Sequence, residues 1–399
     1  MTGVDGLMQS CIGDIDGATE LYLQALLNDP AHVPSLLNLA RCHLEADQSA
    51  GAGQRVQDGG AKACDVYGTA LALEPRNVEA LLGRAQVLHK AYRSRGGGGG
   101  QEATDRLKEA RSLFERAFAV VDEGFVDELQ AHDGTGFEGL EDGGGVAILE
   151  ERSDDAGERV VDTSSMCMYA AVLEDLADVS GDEGQGRGLL READQVYGRV
   201  LEMAPDHVPA VYNQALLRDS RLKASGAAED ARKLYERCLQ LQPDHYGALC
   251  NLGALYESQL NQVAKAREMY EAALRLQPSD AGTLFNYAGL FEGTGASKDA
   301  FALYQRAVES NPRHVPSWLA VARLTRPSTV TGLLGPPVVG DEAIPNKQIA
   351  NADSLHALAL KSLEDMAMDS SSAGGKEFER EALLLYADMV CDHDLMADR

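Results

Sequence analysis

One spacing recurs along the chain and always ends on a proline. In "AREMYEAALRLQP" (266–278) it reads Ala266, Tyr270, Ala273, then Pro278. Twelve residues before successive prolines stand Ala18, Ala63, Ala193, Ala231, Ala266 and Ala300. Eight before them stand Tyr22, Tyr67, Tyr197, Tyr235, Tyr270 and Tyr304, and five before them Ala25, Ala70, Val200, Cys238, Ala273 and Ala307. A further copy has Ala110, Phe114 and Ala117, with Asp122 in the proline's place. Steps of four and three put the three residues on one face of an α-helix. Small residues on that face admit a close neighbouring backbone, and the aromatic ring fills the space beyond it. The proline falls where the helix has to stop.

A second pattern follows each proline. Five residues on comes a small residue, as in Ser35, Ala80, Ala210, Ala248 and Ser317; ten on comes Ala40, Ala85, Ala215, Gly253, Ala288 or Ala322. Each unit is therefore read as two helices. Successive proline positions are 45, 47, 83, 38, 35 and 34 residues apart, counting Asp122 as one of them. The shortest value is the unit length, and the excess falls at helix ends: 47–60, 94–101, 122–162, 180–188 and 327–349. Glycine concentrates there, with five in 96–100 and six in 134–145. A stack in which each unit touches only its neighbours tolerates insertions at such turns.

A 34-residue helix-turn-helix with this spacing resembles the tetratricopeptide repeat. "NLARCHLEA" (38–46) and "NLGALYE" (251–257) resemble its first helix and "AREMYEAALRLQP" its second, and the likeness spans about 18–325 with interruptions. The expected first-helix tryptophan appears only as Trp318, and the first unit has no convincing first helix. "ARKLYERCL" (231–239) also has the flavour of the half-repeat family of RNA-processing scaffolds. The resemblance implies an all-α fold: a right-handed α-solenoid of stacked helix pairs whose first helices line a concave groove. The expected organisation is repeats over 1–121, an acidic Gly-rich insertion over 122–162, repeats over 163–326 and a Pro/Gly linker over 327–349. Two amphipathic helices over 350–394 are expected to cap the exposed end of the stack.

Charge limits the partners. The formal net charge is -27, which disfavours direct contact with nucleic-acid phosphates and with anionic membrane surfaces. No apolar run approaches a membrane span, and the first residues do not read as a secretory signal. Seven scattered cysteines without a CxxC pair read as reduced small hydrophobes in a cytoplasmic protein, with the nucleus also compatible. The segment 122–162 holds fourteen acidic residues against Arg152 and Arg159, a net of -12. That composition predicts a solvated loop; an acidic-hydrophobic docking segment is the alternative.

No catalytic, cofactor or metal site is expected. His32, His207, His245 and His314 each lie two residues after their proline. A ladder spread over successive repeats does not converge on an ion; these are read as residues entering a helix, three of which hold proline in the first turn. "GDEGQGRG" (181–188) follows a helix and lacks the lysine-serine ending of a phosphate loop, so it is read as a flexible turn. No GxSxG or HExxH is present.

The expected function is a non-catalytic scaffold that binds a peptide or helical segment of a protein partner. Seven residues after each proline lies a candidate groove position: Leu37, Leu82, Tyr212, Cys250, Phe285 and Leu319, with Cys167 its counterpart in the interrupted unit. Four further on, Arg41 and Arg323 flank the ends. These side chains fit equally a packing role within or between repeats. Relatives that clamp acidic chaperone tails carry Lys and Asn at such positions, so the apolar residues here argue against that partner. Asn38, Asn213, Asn251 and Asn286 recur within helices and are expected to bond between repeats. Two other functions fit the resemblance. One is the repeat portion of a larger enzyme such as a protein O-glycosyltransferase, although no sugar-nucleotide domain is apparent after residue 325. The other is a scaffold for RNA-processing complexes of half-repeat type.

Overall fold

The computed structural model describes residues 14–49, 59–94, 100–121, 162–222 and 226–324. The segments expected to form the first unit's start, the acidic insertion, the linker and the capping helices lie outside these, save for Asp162. Among the described residues every regular element is helical. The described residues form two compact units, divided after residue 222.

The first unit contains α1 (Ile15–Asn28), α2 (Val33–Ser49), α3 (Gly59–Leu73), α4 (Val78–Ser94), α5 (Gln101–Val121), α6 (Thr163–Val179), α7 (Glu183–Met203) and α8 (Val208–Leu217), the last continuing into a π-helical turn, Arg218–Leu222. The second contains α9 (Ala227–Leu241), α10 (Tyr246–Ser258), α11 (Val263–Leu276), α12 (Ala281–Gly293), α13 (Ser297–Ser310) and α14 (Val315–Leu324). Within each unit every helix packs on the next in sequence. First helices of successive pairs also touch, α4 with α6, α10 with α12 and α12 with α14. This is the solenoid the spacing predicts.

The repeated triplet is the core. Ala266, Tyr270 and Ala273 are fully buried, as are their counterparts Ala231, Tyr235 and Cys238. At Gly253 a Cβ would stand 2.8 Å from Cε1 of Tyr270, so the first helix lacks a side chain where the ring of the second comes closest. Each proline-bounded second helix stops two residues early, at Asn28, Leu73, Met203, Leu241, Leu276 and Ser310. A residue preceding proline is pushed out of the helical region; Asp29, Gln242 and Asn311 are extended there.

The helix starts are capped by two kinds of side chain. Asp14, Asp162, Asp182 and Asp280 accept backbone N–H groups at the heads of α1, α6, α7 and α12, the usual acidic cap. Histidines take the same place elsewhere. His207 Nδ1 accepts from Ala210 N at 3.2 Å and His245 Nδ1 from Ala248 N at 3.1 Å. His32 and His314 contact Ser35 and Ser317 in the first turns of α2 and α14, at 2.8 and 2.7 Å. His32, His207 and His245 are thus helix caps, and His314 stands at the same place before α14.

One reading of the sequence changes. "GDEGQGRG" is not a turn: Asp182 caps, and residues 183–188 form the first turns of α7. Gly186 lies there because a Cβ would approach the Ala177 carbonyl of α6 to 3.3 Å. The helix stack continues across the acidic insertion. α5 packs on α6 from either side of it, with the Phe118 ring edge-on to Tyr169 at 5.4 Å and Arg111 Nη2 3.0 Å from Glu192 on α7.

Candidate functional site

The post-proline position takes a different environment in each unit. In the first, Leu37 is 7% exposed and sits in the core with Val33, Ala40 and Tyr67, so little of it is offered to a ligand. Leu82 and Cys167 pack against the core while staying half-exposed, and Tyr212 is also half-buried. Arg41 is exposed, ion-paired with Glu79 of α4 and bonded to Asn38. In the second unit Cys250, Phe285 and Leu319 are all half-buried on the successive first helices α10, α12 and α14. The Phe285 ring rests on Tyr304 at 5.4 Å and on His314 at 5.6 Å. Arg323 grips Glu292 with both guanidinium nitrogens, at 2.7 and 2.8 Å, a fork geometry that fixes orientation as well as charge.

A set of carboxylates was missed in the sequence. Seven residues beyond the groove position, two helical turns along the same face, stand Glu174, Glu257 and Glu292. Each accepts the hydroxyl of the core tyrosine of its own repeat: Tyr197 to Glu174 at 2.9 Å, Tyr270 to Glu257 at 2.9 Å and Tyr304 to Glu292 at 3.0 Å. The signal was present as a glutamate recurring in register. It was obscured because carboxylates are common everywhere in this chain. First-helix tyrosines make the reciprocal bond to second helices: Tyr256 to Glu236 at 2.6 Å, Tyr287 to Glu271 at 2.8 Å and Tyr169 to Glu192 at 2.6 Å. Burial pushes the Glu174 and Glu257 carboxyls above the usual range, against the tyrosine hydroxyls that stabilise their charge.

Polar groups also link neighbouring first helices. Tyr246 and Cys250 of α10 both reach Thr283 Oγ1 of α12, at 2.6 and 3.1 Å. Asn38 bonds within its own helix and Asn286 is exposed, so these two asparagines do not make the inter-repeat bonds expected of them.

Burial pushes the Cys167 and Cys238 thiols up to about 11, and those of Cys42, Cys64 and Cys250 upward as well; such thiols are poor nucleophiles at neutral pH. Among the described residues no three His, Cys, Asp or Glu side chains are arranged to hold a metal ion, and no helix is long and apolar enough to cross a membrane.

Paired helices, a repeated tyrosine core and a line of first helices define a helical-repeat protein. Residues 252–314 match the tetratricopeptide repeat family. Among solved structures the chain is similar to YrrB, described as a repeat protein with an unusual peptide-binding site, at 17% identity over 67% of this chain and 97% of that one, TM-score 0.42. A tetratricopeptide repeat protein from Parabacteroides merdae is 14% identical over 78% of this chain and 92% of that one, TM-score 0.44. MamA is 15% identical over 47% of this chain and 96% of that one, TM-score 0.37. No curated protein matches the chain.

Proposed function

We propose that the chain is a non-catalytic protein-interaction scaffold that holds a peptide or helical segment of a partner against its first helices. The observation that carries this reading is the line Cys250, Phe285 and Leu319. These side chains occupy one register on three successive helices, and each keeps part of its surface exposed. A folded chain leaves such a line half-open at little cost if another chain completes it. In the first unit, taken by itself, Tyr212 on α8 is half-buried at the same register. Leu37 contributes mainly packing.

Partner capture tests it. The full chain and a Tyr212→Ala/Phe285→Ala variant are used to capture partners from lysate, followed by mass spectrometry and circular dichroism. The reading expects partners held by the parent chain to be lost from the variant at unchanged helix content. Equal capture by both would remove the groove assignment.

A further inference from the structure

Space and surplus charge coincide over Gly289 in the second unit. Three of the four tyrosine-bound carboxylates there hold an arginine. Arg232 Nη1 is 2.5 Å from Glu236, Arg267 Nε is 2.8 Å from Glu271, and Arg323 grips Glu292. Glu257 is the exception: its Oε2 accepts from Tyr270, and no lysine or arginine pairs with it among the described residues. Its Oε1 faces Gly289 of the next repeat. A Cβ on Gly289 would stand 3.7 Å from Glu257 Oε1 and 4.0 Å from the Tyr304 hydroxyl. Because residue 289 is glycine, the Cβ position there is unfilled, and two oxygens border it. Among the described residues the local charges are Glu257, Glu292 and Arg323, two negative and one positive. Phe285, one helical turn before Gly289, is a half-exposed aromatic surface about 6 Å along the same helix.

We propose that the recess over Gly289 receives one lysine or arginine side chain of a bound segment, and that an apolar neighbour of that residue lies on Phe285. The cation meets Glu257 Oε1 and neutralises the cluster; its methylene stem runs along Gly289. Two residues of an extended segment, or four of a helical one, span the distance to Phe285. The pairing selects partners by charge more than it adds affinity. It also fits the apolar flanking positions better than an acidic segment would. This rests on reading the first helices as a binding groove.

The test uses the full chain and a phage-displayed random peptide library. Recovered peptides are synthesised with a fluorescent label and titrated by anisotropy against the parent chain, Phe285→Ala, Glu257→Gln and Gly289→Lys. The amide oxygen introduced by Glu257→Gln would still accept the Tyr270 hydroxyl. Gly289→Lys replaces a helix-interior glycine without a close Cβ contact. Both variants are therefore expected to keep the parent's circular dichroism. The expected result is peptides carrying Lys or Arg beside an apolar residue, weakened at least tenfold by each of the three variants. Replacing the basic residue by norleucine should cost tenfold on the parent chain and nothing further on Glu257→Gln. Peptides that need Phe285 but bind Glu257→Gln as well as the parent would overturn the cation recess and leave the groove standing. Peptides indifferent to Phe285→Ala, or no retained peptide at all, would overturn the groove itself.

Discussion

The Tyr270 hydroxyl donates to Glu257 Oε2 at 2.9 Å, joining the second helix of a repeat to its first. The ring is fully buried while the carboxylate is half-exposed. The same residue therefore packs the core at one end and positions a half-exposed carboxylate at the other.

Tyr270→Phe separates those two tasks. It keeps the ring and removes the donor from a desolvated carboxylate, which should cost about 1–2 kcal/mol. Tyr270→Ala also leaves a cavity in the core and should cost about 3–5 kcal/mol. Urea unfolding of the two variants measures the gap. Equal losses would mean that the hydroxyl contributes as much as the ring, against the burial seen here.

Glu257 and Glu174 have folded pKa values raised above the ordinary 4.5 by burial. A raised carboxyl holds its proton to higher pH in the folded state than in the unfolded one. Its contribution therefore favours folding in acid and weakens as pH rises through the window above 4.5. Glu257→Gln should remove that component, so the variant gains stability relative to the parent between pH 4.5 and neutrality. Chemical unfolding at matched pH values reads this directly; a parent-to-variant difference independent of pH would contradict it.

His314 titrates with the opposite consequence. Burial holds its ring below the ordinary 6.5, with Asp280 opposing. The folded state binds fewer protons than the unfolded one, so the stability is present above pH 6.5 and is lost as pH falls below it. His314→Asn supplies a capping side chain that does not titrate. Its unfolding midpoint should fall less than the parent's between about pH 7.5 and 5.5. Identical slopes would show that the ring does not titrate on unfolding.

Two glycines on the first helices predict opposite outcomes for one substitution. A Cβ at Gly253 would stand 2.8 Å from the Tyr270 ring, whereas one at Gly289 would make ordinary contact at 3.7 Å. Gly253→Ala should cost about 1–3 kcal/mol through overpacking. Gly289→Ala should gain up to about 1 kcal/mol from helix propensity. Thermal unfolding of the pair decides it, and a stabilised Gly253→Ala would show that Tyr270 can withdraw.

Most of the fold was legible because its determinants are local and repeated. Ala266, Tyr270, Ala273 and Pro278 state a helix, its buried face and its end within thirteen residues. The candidate site was legible only as a register. Whether Leu37 sinks into the core while Phe285 stays half-exposed depends on what the neighbouring helix places against each, and spacing does not contain that. The glycines of α7 misled because composition signals a turn, while Asp182 and the close approach to Ala177 decide for a helix. Glu257 could have been found by register. Arg232 and Arg267 meet their carboxylates at the local i,i+4 spacing, but that Arg323 reaches Glu292, and that no cation among the described residues reaches Glu257, follows only from folded geometry.

If partners lie on the first helices, photo-crosslinking from defined positions will trap them there. A benzophenone side chain at Phe285 on α12 is compared with one at Glu268, exposed on the second helix α11. The account predicts partner adducts from position 285 and none from 268. Adducts from 268 alone would place the partner on the second helices and contradict it.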